Sequence, residues 1–337
     1  MLSFIFWDVS KEIGSYNLPF LGRPVLWYGL FFSLGFFLGY FLLVYLLNRY
    51  FRQFPFFISQ EVVKEKEVSS YLLLKRIKGN LVDGLNQILI KSHPLASRLS
   101  LEVDLKDAVL PLKSRAKILG EKALVYAVIG AVVGARLGDV IFYQDWSGIQ
   151  RDPLSIFRIW EGGLASHGGT LGALIALYVF MKKEASRMAG ISFLGFLDFV
   201  CVPAAIVGGC IRIGNFFNQE ILGTKTNVPW GVVFGHPADG SVPCVRHPVS
   251  LYESLFYFLL AGCLFSYSNK LNGKKQGLLT GLFLSLLFSF RFFIEFFKEE
   301  QSAYFHFGFI TMGQILSIPL VLAGLFFFFK AKRGSVK

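Results

Sequence analysis

Residues 192–223 read SFLGFLDFVCVPAAIVGGCIRIGNFFNQEILG. From Ser192 to Ile211 the run is apolar apart from Asp198, and about 20 such residues are enough to cross a bilayer. Arg212, Asn215, Asn218 and Glu220 then fall where the preceding residues prescribe membrane helix. A charge in hydrocarbon costs at least ~2.5–3.5 kcal/mol even on the lenient insertion scale. It persists only beside a partner, a water-filled cavity or a bound anionic group. The stretch therefore marks a membrane fold and, at 211–223, a candidate functional site.

The rest of the chain agrees. It has 337 residues, 54% of them hydrophobic, with 38 phenylalanines and a mean hydropathy of +0.54. Soluble domains sit nearer about 45–50% apolar, so the composition points to an all-α integral membrane protein. Apolar windows lie near 24–47, 123–143, 192–212, 249–268, 277–297 and 308–330. A seventh, near 164–181, opens on the polar Ser166-His167-Gly168-Gly169; about seven transmembrane helices around a membrane-embedded polar cavity are expected. On the second window Gly130, Gly134 and Gly138 repeat every four residues, a pattern that lets helices approach closely.

The net charge of +12 does not indicate nucleic acid, because the basic residues gather in a few loops rather than along one face. Lys182, Lys183 and Arg187, then Lys270, Lys274 and Lys275, then Lys330, Lys332, Arg333 and Lys337 fall on one side of a seven-span arrangement. The basic segment 48–122 falls there too. That side is cytoplasmic by the positive-inside rule, with the N-terminus outside and the C-terminus inside. Anionic lipid is the expected partner. The chain reads as one polytopic membrane domain with a basic cytoplasmic insert at about 48–122, where Leu74, Ile77, Leu81, Leu85 and Ile88 have the spacing of an amphipathic helix. Cys201, Cys210, Cys244 and Cys263 show no metal-binding spacing and read mainly as small buried hydrophobes. No metal or cofactor is expected. The N-terminus lacks the basic leader of a cleavable signal peptide.

Polar groups recur near the outer ends of the spans. Arg136 and Asp139 lie one turn apart in the second. Trp160-Glu161-Gly162-Gly163 and His167-Gly168-Gly169 enter the third, where the glycines leave room beside the histidine. Asp198 precedes Arg212 in the fourth. Arg246-His247-Pro248, Tyr252 and Glu253 open the fifth, and Arg291 and Glu295 pair at i, i+4 in the sixth. Several of these have plain structural readings as salt bridges or interfacial anchors. Taken together they set arginines against carboxylates at headgroup depth. Arginine binds phosphate through a planar bidentate array, so an anionic phospholipid is the substrate class they suggest. A general base, where one is needed, is His167 or a carboxylate such as Glu220.

These blocks resemble the prolipoprotein diacylglyceryl transferases of bacterial inner membranes. The family signature Gly-Arg-x-Gly-Asn-Phe-x-Asn-x-Glu-x-x-Gly is matched from Arg212 to Gly223, with Ile211 in place of the first glycine. The other blocks follow in the family's order: Trp27-Tyr28-Gly29, Gly134-Ala135-Arg136-Leu137-Gly138, His167-Gly168-Gly169, Arg246-His247-Pro248 with Tyr252-Glu253, Arg291 with Glu295, and Met312-Gly313-Gln314. The likeness covers nearly all of the chain outside 48–122. It implies transfer of the diacylglyceryl group of phosphatidylglycerol to the lipobox cysteine of a prolipoprotein signal peptide, forming a thioether and releasing glycerol phosphate. It implies His167, Arg212 and Arg291 as catalytic residues. The substrate site it implies comprises Tyr28, Arg136, Asp198, Asn215, Asn218, Glu220, Arg246, Tyr252, Glu253 and Glu295. Ile211, Leu287 (where the family often has tyrosine) and the long insert depart from the family pattern. A lipid or solute transporter using the same charges is the alternative, and a non-catalytic lipid-binding scaffold is a third reading; the two halves show no convincing repeat of the kind transporters carry. Oligomeric state is not read from the sequence.

Overall fold

The computed structural model describes residues 4–17, 24–53, 112–142, 146–158, 163, 165–184, 191–268, 275–299 and 310–333. The amphipathic helix expected over Leu74–Ile88 and the block at 160–162 lie outside the described residues. Helices form at all seven expected positions: α1 (Trp27–Gln53), α2 (Leu112–Phe142), α4 (Ser166–Lys183), α5 (Phe193–Phe217), α6 (Val249–Ser268), α7 (Leu278–Ile294) and α8 (Met312–Arg333). A short α3 (Trp146–Arg151) and a 3-10 turn (Pro153–Phe157) follow α2. Among the described residues six helices, all but α4, are long and apolar enough to cross a membrane. The protein is an all-α integral membrane protein on the strength of those six. Helix α4 spans about 27 Å, but it opens on Ser166-His167-Gly168-Gly169 and ends on Lys182-Lys183.

The helices outrun the apolar windows. Helix α1 continues through Arg49 and Arg52, and α2 begins at Leu112, so both borders of the expected insert at 48–122 are helical. Long basic side chains lay their stems along apolar surface and lift the charge toward water, so a helix need not stop where hydropathy does. Helix α5 runs to Phe217 and carries Arg212 and Asn215 within it.

The chain divides into two compact units, residues 1–43 with 194–337, and residues 44–193. In the second, α2 and α4 touch backbone to backbone. A Cβ added to Gly134 would sit 2.3 Å from the Gly168 carbonyl oxygen, and one added to Gly172 would sit 2.2 Å from that of Gly130. Lipid tails are as apolar as leucine, so association here rests on van der Waals contact, which small residues permit. On the same helix Val125, Ile129, Val133, Leu137 and Ile141 are exposed at every fourth position, a face suited to lipid.

In the first unit, the leading half of α1 packs on α5, where a Cβ on Gly35 would meet Cys210 and Val207. Helix α6 lies on α5 with Ser254 donating to the Gly209 carbonyl at 3.0 Å. Helices α7 and α8 cross at Gly281 and Gly324. The connection between α5 and α6 forms β4 (Val232–Phe234) and β5 (Val245–Arg246), and β1 (Ile5–Trp7) joins them in the order β1-β4-β5. Strand β1 is parallel to β4, with Ile5 opposite Val232, and β4 is antiparallel to β5. Phe216, Leu222, Val232 and Phe234 form its small core with Trp7 and Phe217. A two-stranded pair, β2 (Glu12–Asn17) and β3 (Pro24–Leu26), leads into α1.

The α2–α4 contact yields a direct expectation. Gly172→Val should destabilise the protein by at least about 1–3 kcal/mol through overpacking, read as a lower unfolding temperature in detergent. Gly262→Ala, inside α6 and with an added Cβ that meets nothing within 4 Å among the described residues, should not lower that temperature and should raise it slightly, because alanine favours the helix over glycine.

Candidate active site

The polar run of the sequence is the C-terminal end of α5. Gln219 donates its N–H to the Phe216 carbonyl at 3.0 Å and Glu220 donates to that of Asn215 at 2.9 Å. Gln219 has φ 55°. These are the two bonds and the left-handed residue of a Schellman turn, which satisfies the last carbonyls of a helix. Glycine is usual at that position; a non-glycine residue there costs on the order of 1–2 kcal/mol. Ile221 repeats the left-handed conformation at φ 54°.

Glu220 is thereby folded back over the helix end. Its carboxylate accepts from Asn215 Nδ2 at 2.9 Å and Asn218 Nδ2 at 3.1 Å. An anion at a helix C-terminus opposes the dipole, so these amide donors are what makes its position tenable. Asn215 Oδ1 in turn accepts from Arg212 Nη1 at 3.2 Å. Arg212, Asn215, Asn218 and Glu220 thus form one continuous chain of polar contacts.

A fully buried carboxylate joins that chain to two further elements. Glu253, early in α6, places Oε2 2.9 Å from Arg212 Nε and accepts from Lys298 Nζ at Oε1, 2.8 Å away. Lys298 also lies 3.4 Å from Glu295 Oε2, in the 3-10 turn Glu295–Phe297 that follows α7. The Arg212 approach is ionic, because Glu253 Oε2 has no aligned donor among the described residues. Tyr257, one turn beyond Glu253, interacts with both Arg212 and Arg291, and Tyr28 at the start of α1 also interacts with Arg212. Arg291 is half-buried in the last turn of α7 and has no ion-pair partner among the described residues. Lys298 and Tyr257 were not among the expected site residues. Their signals were an i, i+3 spacing from Glu295 and an i, i+4 spacing from Glu253, which become legible only once those carboxylates are known to point inward.

Other expected substrate residues are engaged by the protein itself. Arg246 donates to the Gly223 carbonyl at 3.2 Å, Glu299 Oε2 at 2.7 Å and Ser241 Oγ at 3.1 Å. It fastens the α5–α6 connection to the end of α7. Gly223 is tightly enclosed there: an added Cβ would sit 2.2 Å from the His247 carbonyl oxygen. The Tyr252 hydroxyl accepts from Trp230 Nε1 at 2.7 Å and lies 3.2 Å from His247 Nδ1. Asp198 accepts from Gly277 N at 2.6 Å, Thr280 N at 2.7 Å and Thr280 Oγ1 at 2.8 Å. It is a capping residue for the N-terminus of α7, supplied by a different helix. It also stands about 21 Å along α5 from Arg212. In the described structure Asp198 serves as a helix cap, since orphan N–H groups inside a membrane need an acceptor.

In the second unit, Arg136 is buried and its donors go to carbonyls of one loop: Ile156 O at 2.9 Å, Ser155 O at 2.5 Å and Gly163 O at 3.1 Å, with Asp139 Oδ2 3.3 Å away. This too is a fastening rather than an open anion site. The same loop carries the Asp152–Arg158 pair, where the guanidinium holds the Asp152 carboxyl below the usual carboxylate range. His167 sits in the first turn of α4 and is exposed within its unit. Among the described residues no cluster of three or more His, Cys, Asp or Glu side chains suits a metal ion.

Comparison with known proteins follows the same lines. A family model described as prolipoprotein diacylglyceryl transferase matches residues 107–330. A phosphatidylglycerol–prolipoprotein diacylglyceryl transferase of Protochlamydia amoebophila (strain UWE25) is 36% identical to the chain, over 96% of it and 94% of its own length. Proteins of the same description from Tolumonas auensis (strain DSM 9187 / NBRC 110442 / TA 4) and Chlamydia pneumoniae are 43% and 38% identical. They cover 61% and 66% of this chain, and 76% and 77% of their own.

The two buried carboxylates should respond differently to truncation. Glu253→Ala leaves Arg212 and Lys298 without their shared counter-charge and should destabilise by about 3–5 kcal/mol. Asp198→Ala removes a cap and should cost about 1–2 kcal/mol. Thermal unfolding in detergent, with both variants in parallel, measures the order.

Proposed function

The chain belongs to the prolipoprotein diacylglyceryl transferase family, and from that membership we propose how its polar cluster serves the reaction. It is a multi-pass membrane transferase that moves the diacylglyceryl group of phosphatidylglycerol to a prolipoprotein. The acceptor we assign is the thiol of the lipobox cysteine in the signal peptide. The sulfur forms a bond to the glyceryl carbon, the carbon–oxygen bond to phosphate breaks, and glycerol phosphate leaves with the electron pair. The thiol proton passes to a base.

Two demands follow from that chemistry. The thiol reacts as thiolate, and the leaving phosphate gains charge that fixed cations must stabilise. Arg291 carries the second part of the reading. A half-buried guanidinium in a membrane helix, without an ion pair among the described residues, is suited to a phosphate as its bidentate acceptor. Tyr257 interacts with both Arg291 and Arg212, Arg212 is paired with Glu253, and Glu220 with Asn215 and Asn218 offers acceptors and donors for the glycerol hydroxyls. Tyr28 and Glu295 border the same group of charges. For the base we assign His167, on the family likeness alone.

The same reading puts the protein in the bacterial cytoplasmic membrane, as one polytopic domain whose basic segment 48–122 is cytoplasmic. Lys182 and Lys183 at the end of α4, and Lys330, Lys332 and Arg333 at the end of α8, support an N-terminus outside and a C-terminus inside.

Purified protein given phosphatidylglycerol vesicles and a lipobox peptide should yield thioether-linked peptide and free glycerol phosphate in equal amounts. Arg291→Ala should lower the rate by about 10²–10³-fold, and Arg291→Lys should recover only part of it because lysine lacks the bidentate fork. A Cys→Ser peptide should give no product, an alcohol being a far weaker nucleophile at neutral pH. Wild-type rates from folded Arg291→Ala protein would remove the arginine from the mechanism.

A further inference from the structure

Gln219 lies in the one interior position of Asn218-Gln219-Glu220 that the family signature leaves open, yet it is the most constrained residue of the turn. It is fully buried and holds φ 55°, a conformation in which glycine is the ordinary occupant. Three contacts tie it to segments far away in the sequence. Its Oε1 accepts from the His236 N–H at 2.6 Å, its Nε2 donates to the Val9 carbonyl at 3.3 Å, and its own carbonyl accepts from Ala238 N–H at 3.0 Å. The amide side chain therefore bridges the N-terminal segment and the α5–α6 connection. Those two segments are also held together by Asp8 and His236, 2.9 Å apart, and by the pairing of β1 with β4.

The next residue is Glu220. Its carboxylate reaches Asn215 and Asn218 only because the turn at Gln219 reverses the chain over the end of α5. The turn itself needs only a left-handed residue, which glycine supplies more readily. What glutamine adds is attachment of the turn to the segments that carry Val9 and His236. We propose that Gln219 is a positioning residue of the transferase: its side chain clamps the Schellman turn to the Val9 and His236 segments and so fixes the Glu220 carboxylate at the phosphatidylglycerol headgroup. This rests on the assignment of Glu220 to the headgroup site.

The substitution that separates clamp from turn is Gln219→Gly, which keeps the left-handed backbone and removes the amide. Steady-state kinetics on phosphatidylglycerol vesicles with a lipobox peptide, alongside thermal unfolding of the same preparation, should show kcat within twofold of wild type, KM for phosphatidylglycerol raised about tenfold, and an unfolding temperature lowered less than in Gln219→Ala, the relieved φ offsetting part of the loss of the His236 and Val9 hydrogen bonds. Gln219→Ala should show the same rise in KM together with a lower unfolding temperature, because alanine keeps the unfavourable φ. A role confined to stability would move the unfolding temperature and the active fraction, and leave KM alone. Wild-type KM in Gln219→Gly overturns the inference. If that variant does not fold, Gln219→Asn, which tolerates the left-handed conformation and shortens the amide's reach, reads the same quantity: raised KM supports the clamp and unchanged KM overturns it. Glu220→Gln distinguishes the two layers. A KM raised there but not in Gln219→Gly sinks the clamp alone, whereas a KM unchanged in Glu220→Gln sinks the headgroup assignment beneath it.

Discussion

Glu253 is fully buried and, among the described residues, lies against two cations. Its oxygens face Arg212 and Lys298, contributed by α5 and by the segment after α7, while Glu253 itself sits in α6. Bringing three such charges into a membrane protein is tenable only if they stay together, because separating any one of them leaves a buried ion uncompensated. That requirement fixes the relative placement of three chain segments more sharply than apolar packing can. Lipid-facing leucines and phenylalanines tolerate sliding; a carboxylate shared between two cations does not. Glu295, joined through Lys298, and Tyr257, beside Arg212 and Arg291, inherit their positions from it.

A second layer of constraint lies where helices end. Helix termini inside or near a bilayer expose N–H and C=O groups that water does not satisfy. Asp198 supplies the acceptor for the start of α7, and the turn at Gln219 closes the end of α5. Arg246 and Arg136 do comparable work for loop carbonyls. Much of the polarity in and beside the apolar helices therefore serves the backbone.

That division explains why the sequence could not sort its polar residues by role. The cost of a charge in an apolar span applies to Arg212, Glu253, Arg291, Glu295, Asp198 and Arg136 alike. The same energetic argument covers a phosphate ligand, a helix cap and a loop fastening, so it cannot sort one from another. Arg212 with Glu220 reads as a unit because the residues are close in sequence. Asp198 and Thr280 are 82 positions apart, and no local spacing announces that pair. Lys298 completes the hub through Glu253, 45 positions away, and no local spacing announces that contact either.

By itself the sequence determined the membrane class, the seven helical positions and the polar segment at 211–223, because hydropathy and helical period are local properties that neighbours in the chain share. It also carried the family likeness, since ordered blocks of residues survive without knowledge of their contacts. The tertiary structure alone decided the extent of α5 through its polar end, the closure of α2 on α4, and the partner of each buried charge. Those depend on which backbone carbonyls and N–H groups are orphaned, and orphaned groups exist only after the helices have ends and neighbours.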